Sequence, residues 1–390
     1  MRERSSGAEL IAAHVLPHFF GPRERGTPDG SGAPALRITP VPGGLINRTF
    51  LVSSVSSVSS VSSVSSSGGS DGATDFILQW VNPLFPVAVH GNIAAVTAAL
   101  VQAGVTTPEL VPTLDGEPCL VLAAPAVDEP ASVWRLMSRV PGVSFDVVTS
   151  PGQAFSAGRL VARFHAALTH LEHAFAGRRV SVHDTPRHLA HLRDVLALHG
   201  AHRLFSPVQE LAAELLATAP RLPALPGLPE QIGHGDLKLN NFLFAGEQPP
   251  RSEDAVCLVD LDTVGPIQLA HEWGDAWRSW CNRSGEDEVE AELDLSIFAA
   301  AWEGYRQHVG RGLSQEERRA LLLAPEWISL ELAARFAGDA LAEAYFGWDP
   351  ARFAGRGEHN LVRARGQWSL HRAFTATRPE RARLLEVDGP

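Results

Sequence analysis

The hydrophobic periodicity of this chain changes character near residue 140, and that change decides what kind of fold is open to it. Before it, LRITPVPGGLINRTFLV (36–52), FILQWV (76–81), two apolar stretches near 107–127 and VWRLMSRVPG (133–142) read as strands. Gly43 and Gly44 form a tight turn, residues 114–117 form another, and an Ala-rich helix at 89–104 is closed by Gly104. After it, apolar groups recur at helical spacing: Phe155, Leu160, Val161, Phe164 and Leu168, then Val289, Leu293, Ile297, Ala301 and Tyr305, then WISLELAARFAGDALAEAYF. In VHDTPRHL, Thr185 reads as a helix N-cap with Pro186 at the first helical position. The architecture expected is α+β and bilobal, with a small antiparallel-sheet lobe over 1–139 and a large helical lobe over 140–390.

Two segments interrupt this plan. LIAAHVLPHFF (10–20) reads as a short helix that Pro17 ends or kinks, followed by a Gly/Pro-rich loop. From Val52 the strand pattern breaks, because residues 52–67 repeat Val-Ser-Ser, a period that fits neither strand nor helix. We read 52–74 as a low-complexity loop inserted between two strands. Such an insertion is tolerable, since each doubling of loop length costs only about 0.6 kcal/mol.

With 33 basic and 44 acidic residues the net charge is −11, so the chain lacks the basic footprint that DNA or RNA binding needs. No apolar run approaches the roughly 18 to 20 residues of a membrane helix, and MRERSSGAEL has no signal-peptide core. No nucleic acid, no membrane and a cytoplasmic location are expected. Cys119, Cys257 and Cys281 make no CxxC pair and read as buried small hydrophobes. The acidic run Glu286, Asp287, Glu288, Glu290 reads as the first turn of a helix rather than a metal site.

Between the helical segments stands QIGHGDLKLNNFLF (231–244) and, after a polar loop, AVCLVDLDTVGP (255–266). A loop aspartate, an asparagine five residues on and a second aspartate at a strand end are what phosphoryl transfer requires. One carboxylate accepts the proton of the acceptor hydroxyl, while an amide oxygen and another carboxylate hold Mg²⁺ against the phosphates of a nucleotide. Asp236 takes the first role, Asn241 and Asp260 the second, and His234 braces the loop. Lys238 is the only lysine of the chain and stands two residues after Asp236. There a compact ammonium can meet the transferred phosphate where a planar guanidinium would not fit.

These stretches resemble the phosphotransferases that share the aminoglycoside phosphotransferase and choline kinase fold, themselves similar to protein kinases. Within that group GGLINRTFLV, FILQWVN, VWRL, HDTP, HGDLKLNN, VDLDTV, WGDAWR and EHNLVRAR look most similar to N-acetylhexosamine 1-kinases, in order and over roughly 38–375. The resemblance implies a kinase-like bilobal fold with ATP between a five-stranded N-lobe and a helical C-lobe, Mg²⁺ as cofactor, and a sugar or amino sugar phosphorylated at its anomeric hydroxyl. It implies Asp236 as base, Asn241 and Asp260 as metal ligands, and Gly43, Gly44, Asn47, Thr49 and Gln79 as nucleotide contacts. Arg335 and Tyr345 match positions that contact the sugar. The competing reading of Arg335 is an intrahelical pair with Glu331 or Asp339, four residues to either side, worth about 0.2 to 0.5 kcal/mol.

Three departures qualify the resemblance. No Lys or Arg occurs from 49 to 134, so the lysine that kinase-like enzymes place on the third strand is missing. Its place falls to Gln79, where N-acetylhexosamine kinases typically show Gln too, and the next helix offers Gly91 and Asn92 instead of a partner glutamate. Leu45 stands where these relatives usually have His, and Ser279 where they tend to have an aromatic residue. Two alternatives stay open: an aminoglycoside or amino-alcohol phosphotransferase, with Glu272, Asp275, Glu331 and Asp339 offering an acidic pocket, and an inactive kinase-like binding protein.

Overall fold

The computed structural model describes residues 2–21, 35–42, 47–55, 75–123, 131–177, 183–246 and 252–387. Gly43, Gly44 and Leu45 lie outside them, as does most of the Val-Ser-Ser tract (56–74). The chain divides into two compact units, the first comprising Met1–Gln102, Thr107–Val140 and His173–Gly177, the second the remainder.

In the first unit, α1 (Arg2–His14) and α2 (Pro17–Phe20) precede β1 (Ala35–Val41), β2 (Arg48–Val55) and β3 (Phe76–Val81). Then come α3 (Val89–Gln102), β4 (Leu110–Val111), β5 (Leu120–Leu122) and β6 (Ser132–Ser138). The sheet is antiparallel in the order β1-β2-β3-β6-β4, with β5 also on β6. It has six strands, not five, because the edge beside β6 is shared by two short ones, Leu110 opposite Met137 and Leu120 opposite Trp134. The turn between them is closed by Thr113 N–H to Glu117 O at 2.9 Å, with Gly116 at φ 84°. The strand pattern also runs past Val52: β2 continues to Val55, pairing Val52 with Ile38 and with Phe76. Val52 is fully buried in the apolar face that Leu78, Leu120 and Leu136 press against Ile11, Val15, Leu16 and Phe19. Burial of this first valine holds the strand in place although the repeat has already begun.

The second unit contains α4 (Pro151–Leu168), α5 (Thr185–Leu198), α6 (Phe205–Thr218), β7 (Glu230–Gly233), β8 (Phe242–Phe244), β9 (Ala255–Leu258) and β10 (Gly265–Gln268). It ends with α7 (Leu269–Trp280), α8 (Leu295–Arg306), α9 (Gln315–Ala342), α10 (Arg356–Ala376) and α11 (Arg378–Leu384). Two antiparallel ribbons, β7 with β10 and β8 with β9, carry the motif segments. α4 and α8 approach closely through a reciprocal pair of glycines: a Cβ on Gly158 would overlap Ala301 O, and one on Gly304 would overlap Phe155 O. Trp273, Trp277 and Trp280 of α7 and Trp302 of α8 are fully buried together with Tyr305. That aromatic core makes α7 a rigid support.

Two local expectations are corrected. The N-cap of α5 is Asp184, which accepts from Arg187 N–H at 3.1 Å, while the Thr185 hydroxyl donates instead to Glu331 Oε2 at 2.8 Å. The acidic run is not a helix turn, because α8 begins only at Leu295 behind an Asp294 cap. It is a loop tied to α10 and to the segment before it: Asp287 pairs with Arg363 at 2.7 Å and with Arg352 at 3.2 Å, and Glu290 accepts from Ser369 at 2.9 Å. Val289 and Leu293 therefore precede the helix they were expected to share. The three cysteines are buried and unpaired. No helix among the described residues is long and apolar enough to cross a membrane.

Candidate active site

The loop between β7 and β8 is held from three sides. Gly235 adopts φ 79°, and a Cβ there would meet Thr263 O at 2.8 Å, so the turn into Asp236 demands glycine. The fully buried Glu272 of α7 accepts from His234 N–H at 2.6 Å and Gly235 N–H at 3.2 Å through one oxygen. Its other oxygen meets His165 Nε2 at 2.7 Å. Burial alone would push this carboxyl up, but the charge and hydrogen bond of His165 and the Gly235 amide outweigh it and lower its pKa. Trp280, from the end of α7, donates its indole N–H to Leu237 O at 2.6 Å.

Inside that frame the side chains converge. Lys238 Nζ lies 2.9 Å from Asp236 Oδ2. Asn241 Nδ2 donates to Asp236 O at 2.8 Å and to Oδ2 at 3.1 Å, which commits the amide's hydrogens and leaves its oxygen for a cation. On the Asp236 carboxylate, Lys238 and Asn241 therefore share the same oxygen, Oδ2. The Lys238 ammonium loses by burial, yet the combined fields of Asp236, Asp260 and Asp275 raise its pKa above the ordinary lysine value.

Asp260 follows β9 in the left-handed region at φ 64°, ψ 57°, a conformation that costs a non-glycine residue about 1 to 3 kcal/mol and concentrates at functional sites. The backbone before it is pinned by Val259 N–H to Asn241 O at 2.9 Å and by His234 Nε2 to Val259 O at 2.9 Å. Because Nε2 must donate to a carbonyl, His234 holds its proton there, and burial lowers its pKa. It braces the loop against the strand end at Val259.

Beyond Lys238, Asp275 pairs with Arg278 at 2.8 Å. His183 contacts Glu331 Oε1 at 3.1 Å and lies 5.4 Å, ring to ring, from His271. Arg335 makes no ion pair with Glu331 or Asp339 among the described residues, because both acids are engaged elsewhere. Asp339 caps the turn after α9, accepting from the amides of Ala344, Tyr345 and Phe346 and from Asn360. The Arg335 guanidinium stacks instead over Phe346 at 5.5 Å, and Tyr345, half exposed, sits edge-on to the same ring at 4.8 Å.

Of the expected nucleotide contacts in the first unit, Asn47 Oδ1 accepts from Asn82 N–H at 3.0 Å, and Thr49 and Gln79 are hydrogen-bonded to each other at 3.1 Å. Asn92 does not partner Gln79. It anchors residues 173–177, donating to Ala176 O at 2.7 Å and accepting from His173 at 3.0 Å. Sequence reasoning missed Glu272 and His165 as loop supports, Trp280 and the buried Arg135 beside Gln79. The only hint was polar residues standing on otherwise apolar elements.

A pH effect on stability follows from His271, whose pKa burial and the neighbouring His183 charge depress to about 4. Between pH 6.5 and about 4 the unfolded chain binds this proton and the folded one does not, so stability falls as pH drops through that window, by about 3 kcal/mol in all. Thermal melts from pH 7 to 4 should show a shallower loss in His271→Gln than in wild type. Equal slopes would contradict the assignment.

The family model named "Phosphotransferase enzyme family" (APH) matches residues 37–308, and the chain belongs to that family. It is a phosphotransferase with the fold of the small-molecule kinases. Similar solved structures include an amicoumacin kinase, hAmiN, in complex with AMP-PNP, Ca2+ and Ami (13% identity, 96% of each chain, TM-score 0.56). A microcompartment-associated aminopropanol kinase is 18% identical over 95% of this chain and 98% of that one (TM-score 0.54). The GDP and kanamycin complex of APH(2″)-IIia is 11% identical over 94% and 99% (TM-score 0.53). At these identities they share the protein-kinase-like fold: an antiparallel N-terminal sheet followed by a mostly helical C-terminal part.

Proposed function

We propose that this phosphotransferase moves the γ-phosphate of ATP or GTP to a hydroxyl of a neutral sugar, most consistently the anomeric hydroxyl of an N-acetylhexosamine. The observation that carries the reaction is the division of labour on Asp236. Oδ2 is occupied by Lys238 and Asn241, so Oδ1 is the atom left to accept a hydroxyl proton. Lys238 offers its remaining N–H donors to the transferred phosphate. Asn241 and Asp260 are a fitting pair for Mg²⁺, a hard cation held by one or two protein oxygens plus phosphates, and one whose charge would neutralise the phosphate oxygens.

A neutral acceptor is favoured because the acids that would attract a cation are spent within the protein. Glu272 serves His165 and the loop amides, Glu331 serves His183 and Thr185, Asp339 caps a turn, and Asp275 faces Arg278. Arg335 and Tyr345, sharing Phe346, supply hydrogen-bonding and stacking surface suited to a sugar.

The test is nucleotide consumption across free hexosamines, neutral hexoses, aminoglycosides and amino alcohols, with phosphorus NMR locating the new phosphate. A sugar 1-phosphate is the expected product. Turnover only with cationic acceptors would replace the sugar reading, and nucleotide binding without turnover on any of them would favour the inactive binding protein.

A further inference from the structure

The first unit carries a cation that the proposed chemistry has not yet used. In the register of the sheet, Thr49 of β2 stands opposite Gln79 of β3, and Gln79 opposite Arg135 of β6, so the three side chains form one cross-strand row. The face they share is not the one packed on α1 and α2, which takes Leu78 and Leu136 from the alternate positions. Arg135 is 1% exposed and donates from Nε to Gln79 Oε1 at 2.8 Å. Since a guanidinium can only donate, this contact fixes which end of the Gln79 amide is oxygen. Nε2 then points along the row and donates to Thr49 Oγ1 at 3.1 Å. One amide N–H of Gln79 remains unspent among the described residues, on a side chain that is only partly buried.

We propose that Arg135 is a positioning residue for nucleotide binding, acting through Gln79. The positive charge missing from the third strand has moved one strand across the sheet, and Gln79 presents it as a polarised amide donor to the phosphate oxygens. A charged donor on Oε1 withdraws electron density from the amide and strengthens its remaining N–H. Because Arg135 also locks the amide's orientation, the donor needs no reordering when phosphate arrives. This also accounts for the loss of both members of the lysine and glutamate pair: a lysine at 79 would set two cations side by side, whereas glutamine accepts from one and donates onward. The inference rests on the proposed use of a nucleoside triphosphate.

The experiment measures Mg·ATP and Mg·GTP binding and steady-state kinetics for wild type, Arg135→Gln, Gln79→Leu and the exchange Gln79→Lys/Arg135→Gln. Arg135→Gln and Gln79→Leu should each raise the KM for nucleotide about 10- to 100-fold, the range set by one charge-assisted hydrogen bond, with the KM for acceptor changed less than about 2-fold. The exchange, which returns the cation to the third strand, should recover most of the loss. Unchanged nucleotide affinity in the two single variants, or equal effects on both substrates with no recovery in the exchange, would overturn the inference while leaving the kinase reading intact. Wild-type protein that binds neither nucleotide would overturn the kinase reading itself. If Arg135→Gln does not fold, Gln79→Leu decides, since it leaves the buried guanidinium in place.

Discussion

Asp236→Asn should reduce phosphoryl transfer by about 10² to 10⁴-fold while the protein still folds and still binds nucleotide. The substitution is close to isosteric, and on the proposed reading the effect falls on Oδ1. Lys238 and Asn241 both contact Oδ2, so the asparagine oxygen can take that place and keep the two donors satisfied. The amide nitrogen must then stand where Oδ1 stood. A group that accepted a proton becomes one that can only donate, and the acceptor hydroxyl loses its base without any cavity or unpaired charge being created. Asp236→Ala is the less clean variant, because it leaves Lys238 facing Asp260 and Asp275 with its nearest partner removed. The measurement is single-turnover transfer alongside nucleotide titration. Undiminished turnover in Asp236→Asn would remove this residue from the chemistry, whereas loss of nucleotide binding and of turnover together would make its role structural.

What could be read from the chain alone was whatever is written at short range. Asp236, Lys238 and Asn241 lie within six residues of one another, so their spacing places them in one loop before any tertiary contact is known, but the helices read from their periods do not include α7, whose Glu272 and Trp280 hold that loop. What could not be read was written by distant partners. Asp184 and Thr185 are both good capping residues in adjacent positions, and the choice fell to Asp184 because Glu331, nearly 150 residues away in sequence, engages the Thr185 hydroxyl. The acidic run at 286–290 has the composition of a helix start, yet its conformation answers to Arg352 and Arg363, which no local pattern announces. Glu272 looked available to a ligand because burial is invisible in sequence; folded, it is committed to two loop amides and a histidine. The row Thr49, Gln79, Arg135 exists only once strand register is fixed, since nothing in the chain indicates that residue 135 stands beside residue 79.

Lys238→Arg conserves charge and should still lower turnover by about 10²-fold, the scale of a catalytic group displaced by roughly 1 Å. The ammonium occupies a restricted place, with Asp236 Oδ2 at 2.9 Å and Asp260 and Asp275 close enough to hold it protonated. A guanidinium reaches farther and is planar, so it can satisfy Asp236 only by pushing the carboxylate or by turning its fork toward Asp260, and either movement disturbs a residue assigned to base or metal. Asn241 feels the same shift, because its amide donates to the oxygen that Lys238 holds. The variant should therefore combine a lower kcat with a higher Mg²⁺ requirement, while Lys238→Met loses the charge and weakens binding of the triphosphate as well. The two substitutions separate position from charge. If arginine restores wild-type kcat and metal dependence, charge alone matters at this position, and the chain's single lysine owes nothing to the geometry of the site.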